Sequence, residues 1–86
     1  MTFYVYLITS KIKKKTISYV GYTSNLEKRL RLHNSNMGAK FTKGKKWKLI
    51  YYEKYNSKIE AMKYEYSLKK NYKLRKIIKN KFLQYA

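Results

Sequence analysis

The sequence predicts an α+β domain whose elements run in the order β-β-α-β-α-α. Three observations carry that reading. Two aromatic and β-branched runs, 3–9 and 17–22, precede the first helix-start signal, and a third run, 47–53, follows it. Two Ser-x-x-Glu sequences, Ser24 to Glu27 and Ser57 to Glu60, match the capping box that opens a helix. Beyond them, Leu74, Ile77, Ile78, Phe82 and Tyr85 fall along one side of a last helical stretch.

Each element has its own justification. Residues 3–9 (FYVYLIT) carry apolar groups on both parities, the pattern of a strand covered on both faces. The lysine-rich segment 10–16 reads as a hairpin loop, and 17–22 (ISYVGY) as the partner strand. If Tyr6 pairs with Tyr19, Tyr4 lies opposite Gly21 and both tyrosines project from one face; aromatic packing across strands accounts for such a pair equally well. The first helix runs from Ser24 to His33 or Asn34. A long polar loop, 34–46, holds Gly38 and Gly44. The third strand covers 47–53, the second helix runs from Ser57 to about Tyr72, and the last from Lys73 to Tyr85. There is no repeat or linker, so the chain reads as a single domain, 1–86.

Composition bounds the function. The 86 residues carry 22 lysines and arginines against 4 acidic residues, a formal net charge of +18. That exceeds the ~2–8 usual for a soluble small domain, and the cations repel one another unless a polyanion neutralises them. Nucleic acid is the expected partner, ahead of an anionic membrane surface; a solubilising lysine coat or AT-rich coding bias accounts for the excess without function. The absence of cysteine excludes a disulfide framework, a thiolate metal site and a cysteine nucleophile. No apolar run approaches the ~18 residues of a membrane span, and the N-terminus has no signal-peptide pattern. A small soluble domain of cytoplasmic location is expected.

The helix faces single out candidate site residues. At about 100° per residue, Leu26, Arg29, Leu30 and His33 share a narrow stripe, while Glu27, Lys28 and Arg31 point away. A core histidine satisfied by a carbonyl and a snorkelling arginine explain these residues one at a time. Together they put two costly polar groups on one buried face, which suggests a site. On the second helix, Ala61, Met62, Tyr66, Leu68 and Tyr72 define an apolar arc with Glu65 and Lys69 in its middle, and Glu60 lies on the other side. Glu65 reads either as a helix ion pair with Lys69, worth about 0.2–0.5 kcal/mol, or as an oxygen ligand for a hard divalent cation.

The ordered set of motifs resembles the GIY-YIG nuclease superfamily, and within it the small single-domain bacterial members. It comprises Tyr4-Val5-Tyr6, Tyr19-Val20-Gly21, Arg29 with His33, Gly38-Ala39-Lys40-Phe41-Thr42, and Ala61, Glu65 and Lys69 in A-x-x-x-E-x-x-x-K. Tyr4 and Val5 stand where the family name has glycine and isoleucine, and Trp47 where related sequences often place proline. The resemblance implies a three-stranded antiparallel sheet flanked by helices and metal-dependent cleavage of phosphodiester bonds. By that likeness Tyr6 and Tyr19 are the motif tyrosines, Arg29 faces phosphate, His33 assists the tyrosine or water, and Glu65 holds the metal.

These residues suit the chemistry. One Mg²⁺ or Mn²⁺ on Glu65, with waters retained, supplies Lewis acidity; a two-metal site is disfavoured because only Glu65 faces the site. Arg29 holds the non-bridging oxygens. A tyrosine of pKa ~10 needs cationic neighbours to become a base at neutral pH, and Arg29, Lys69 and the metal are expected to lower it. For binding, Lys40, Lys43, Lys45 and Lys46, with Lys69 and Lys70, are the expected nucleic-acid contacts, and Phe41 and Trp47 interleave with the loop lysines. Without a base-reading motif, recognition is directed at backbone or structure. The reading is an endonuclease, for DNA, of the kind used in repair or recombination. It needs no small-molecule cofactor and no membrane, and acts as a monomer or weak dimer. The alternative is a non-catalytic DNA- or RNA-binding module on the same fold.

Overall fold

The computed structural model describes residues 1–85, with side chains to Phe82; the expected place of the Tyr85 side chain lies outside the described residues. The elements are β1 (Phe3–Ile12), β2 (Lys15–Thr23), α1 (Leu26–Asn34), a short 3₁₀ turn (Lys40–Thr42), β3 (Lys48–Tyr55), α2 (Lys58–Lys70) and α3 (Tyr72–Tyr85). The predicted order holds. The strands form one antiparallel sheet in the order β2-β1-β3, so the most apolar strand lies in the middle. From Val5 to Ser10 that strand is buried throughout, as its double-parity hydrophobicity requires.

The sheet separates two cores. Val5, Leu7 and Val20 pack with Ala61 and Leu68 of α2, joined by Ile50, Tyr51 and Ile78. On the other face Tyr6, Ile8 and Trp47 pack with Leu26 and Leu30 of α1. A bulge at Ile50, where Leu7 pairs with Tyr51 but Ile8 with Leu49, lets Ile50 and Tyr51 both serve the α2–α3 side.

Local predictions are corrected at several points. The hairpin is longer and tighter than expected: the strands extend to Ile12 and from Lys15 around a two-residue turn, with Lys13 at φ 56. Its register is two residues from the expected one. Tyr6 pairs with Gly21, Tyr4 with Thr23 and Ile8 with Tyr19. A two-residue shift preserves parity, so the tyrosines keep their shared face. The cap of α1 is Asn25, not Ser24, with its side chain accepting from the Lys28 amide at 3.1 Å. Ser57 caps α2 as predicted, accepting from the Glu60 amide at 3.1 Å. The apolar arc of α2 is narrower than its sequence suggests. Small Ala61 lets the helix approach the sheet, and only the row Ala61, Glu65, Leu68 turns inward, leaving Met62, Tyr66, Lys69 and Tyr72 exposed.

Gly21 is demanded by this register. A Cβ there would overlap the Tyr6 hydroxyl and ring carbon, and Tyr6 is itself buried. Gly21→Ala is expected to displace the Tyr6 ring and lower stability by about 1–3 kcal/mol, the usual cost of overpacking. Urea unfolding with an unchanged m-value checks this, and a midpoint equal to wild type would refute it.

Candidate active site

A cleft of about 590 Å³ opens beside the β1–β2 pair, and Tyr6, Tyr19, Arg29 and Glu65 all line it. Residues distant in sequence thus meet because α1 and α2 approach from opposite faces of the sheet. Tyr6 and Tyr19 come from the strands, Arg29 from the inward stripe of α1 and Glu65 from the inward row of α2. Lys58, at the start of α2, also lines the cleft; sequence reasoning missed it among 19 lysines.

His33 lies behind the cleft, fully buried, and completes a chain of hydrogen bonds. Thr42 Oγ1 donates its proton to the Ala39 carbonyl at 2.8 Å. The same oxygen therefore accepts from His33 Nδ1–H at 2.9 Å. That fixes the neutral tautomer with Nε2 unprotonated, and the Tyr6 hydroxyl donates to Nε2 at 2.8 Å. The Tyr19 ring covers the imidazole edge-on, with centroids 5.2 Å apart. Thr42 stood in the Gly38–Thr42 segment with no role assigned, and only the fold reveals one.

The loop that carries Thr42 is held tightly. Asn34 donates to the Trp47 carbonyl at 3.1 Å and accepts from its amide. Asn36, at φ 65, accepts from the Gly44 amide at 2.7 Å. Trp47 is a core residue whose indole donates to the Thr42 carbonyl at 2.9 Å. Of the two loop aromatics, Phe41 alone is exposed, stacked on Tyr19 with ring planes 19° apart. Gly38 sits against His33, where a Cβ would strike the imidazole.

Electrostatics correct one expectation. Burial pushes the Tyr6 phenol up to about 12; Arg29 pulls it down, while Tyr19 and Glu65 push it further up. Desolvation outweighs Arg29, so the arginine by itself does not bring the Tyr6 phenol down as expected. Lys69 does not contribute to this balance. It is half-exposed and pairs with Glu65 at 3.4 Å, so the anticipated helix ion pair does form. Burial, then the Arg29 charge, lowers the His33 pKa below its ordinary 6.5.

A pH dependence of stability follows. The unfolded chain takes up a proton on His33 near pH 6.5 and the folded chain resists it, so stability falls as pH drops from 6.5 toward the lower folded value. Thermal melts across pH 5–7 are expected to show this decline, and His33→Gln to flatten it; a slope equal in both proteins would count against it.

The remaining predicted residues lie apart. None of Lys40, Lys43, Lys45, Lys46, Lys69 and Lys70 lines the cleft. Lys45 turns inward to the Phe41 carbonyl at 2.9 Å, and Lys70 sits over the Tyr66 ring. Glu53 is bound by the phenols of Tyr51 at 2.6 Å and Tyr55 at 3.0 Å. Glu27 and Glu60 are exposed in the first turns of their helices. Glu65 is the carboxylate left for the cleft, and no group of three histidine, aspartate or glutamate side chains gathers among the described residues.

The profile of the GIY-YIG catalytic domain matches residues 2–78. The chain belongs to the GIY-YIG family. The match covers every element that builds the cleft of this GIY-YIG domain. It is 46% identical to a UPF0213 protein of Clostridium perfringens over 68 residues, covering 78% of this chain and 70% of that one. A UPF0213 protein of Staphylococcus haemolyticus is 45% identical over 67 residues, covering 77% and 78% of the two chains. The solution NMR structure of a UPF0213 protein from Bacillus halodurans superimposes with a TM-score of 0.55 at 33% identity, spanning 99% of this chain and 90% of that one. Among the described residues no helix is long and apolar enough to cross a membrane.

Proposed function

We propose that this GIY-YIG domain is a DNA endonuclease that hydrolyses phosphodiester bonds with one divalent metal ion on Glu65. The observation that carries the reading is the Tyr6–His33–Thr42 chain opening into the cleft that Arg29 and Glu65 share. A binding module has no need to bury a histidine completely and orient it through both ring nitrogens.

The donor set suits Mg²⁺ or Mn²⁺. A single carboxylate, its side chain 18% exposed, stands at an open cleft, and Mg²⁺ prefers one or two carboxylates with several waters retained. When bound, the ion supplies Lewis acidity toward the phosphate and the leaving oxygen.

The protein's part is positioning and proton movement. Arg29 holds the non-bridging oxygens and offsets the charge that grows on them. With a pKa of about 12, Tyr6 acts as a relay. Its oxygen accepts a proton from the attacking water while its own proton passes to His33 Nε2. The water oxygen forms the new P–O bond, and the sugar oxygen departs with the old bonding pair. Thr42 holds Nε2 free for that proton by engaging Nδ1. Lys58 adds a cation on the cleft wall.

Incubating supercoiled plasmid and branched DNA with Mg²⁺ or Mn²⁺, with and without chelator, tests the reading. Chelator-sensitive nicking is expected. Binding without cleavage of any substrate would leave the non-catalytic alternative in its place.

A further inference from the structure

A second depression, of about 410 Å³, lies at the other end of the β1–β2 pair and shares no residue with the candidate active site. Lys11, Lys46, Lys48 and Lys79 surround it, and no acidic residue lines it. Its floor is built: Thr9, on the central strand with 8% of its surface exposed, lies in it. Lys48 pairs with Thr9 and Lys11 with Thr16 across the sheet, so each of these lysines has a hydroxyl-bearing residue as its cross-strand neighbour. The Lys48 ammonium lies 5.4 Å from the centroid of Phe82 on α3, which limits its wandering.

We infer that this groove binds the phosphodiester backbone of a second segment of the nucleic acid held at the cleft. The inference rests on the nucleic-acid reading of the cleft. Four cations without a carboxylate among them are the complement of a polyanion. Hydroxyls beside them are the usual further partners of phosphate oxygens. Ile50 and Phe82 supply the apolar part of the lining, and the four lysines its charge. From Phe3 at the cleft to Ser10 at the groove the central strand rises about 23 Å, at ~3.3 Å per residue. Thr9 shares the face of Val5 and Leu7, which is opposite to that of Tyr6. A ligand touching both places must therefore reach over about 23 Å along the β1–β2 pair.

Fluorescence anisotropy with a labelled duplex bearing a single-stranded overhang, over a salt series without metal, tests this. Lys48→Gln/Lys79→Gln removes two charges and keeps the aliphatic stems. Lys54→Gln/Lys63→Gln is the charge-matched control on exposed positions that line neither site. The groove pair is expected to weaken binding about tenfold and to reduce the salt slope by about 1.8, at ~0.9 per phosphate contact, with a much smaller change in the control. Lys48→Arg/Lys79→Arg is expected to restore both. Equal losses in groove and control pairs would overturn the proposal, as would arginine variants as weak as the glutamine ones. Groove-dependent binding to phosphatidylserine vesicles without binding to the duplex would overturn it as well. Since binding is read without cleavage, a wild type that binds through the groove yet never cleaves refutes the catalytic reading and leaves the groove standing.

Discussion

Glu65→Gln is expected to abolish metal-dependent cleavage while folding and DNA binding stay close to wild type. The cleft has one carboxylate, and an amide of the same shape is a far poorer ligand for a hard cation. Loss of several kcal/mol of transition-state stabilisation corresponds to at least about a thousandfold in single-turnover rate. The structural cost is small. The Lys69 pair that disappears is partly exposed, and such helix pairs contribute only about 0.2–0.5 kcal/mol. Glu60→Gln supplies the control, because Glu60 is exposed at the start of the same helix. Full cleavage by Glu65→Gln, or an equal loss in Glu60→Gln, would remove Glu65 from the mechanism.

Tyr6→Phe separates the relay from simple packing. The ring fills the α1-side core in both residues, so the fold is retained. The structure raises the expected folding cost above that of a plain hydroxyl deletion, because His33 Nε2 is left without its partner in a fully buried position. A stranded polar atom costs about 1–3 kcal/mol, measurable by urea unfolding. Single-turnover cleavage is expected to fall by at least about a hundredfold, within the ~10²–10⁴ range of a proton-transfer group. Cleavage at the wild-type rate, measured where the variant is fully folded, would return Tyr6 to the core and leave water activation to other groups.

Element order, the start of α2 and the inward stripe of α1 were legible in the sequence because they depend on short-range physics. Alternation and β-branching marked the strands, Ser57 marked its helix, and Arg29 and His33 were visible at four-residue spacing on one stripe. The exact register was not legible, since the pairing Tyr6–Gly21 depends on how two turn residues close the hairpin. Parity survived that error, and with it the shared face of the two tyrosines.

Charge and family motifs, too, were in the sequence by itself: the expectation of a polyanion partner from +18, and the candidates Tyr6, Tyr19, Arg29, His33 and Glu65 from their ordered spacing. Tertiary structure decided what those candidates do to one another. It brought Thr42, nine residues away, beneath His33, and kept the Tyr6 phenol protonated by burying it more than Arg29 could compensate. It also sent the lysines to different places, Lys58 to the cleft and Lys46 and Lys48 to the far groove. Desolvation and the closing of distant segments onto one another are properties of the packed chain, and no local pattern of residues encodes them.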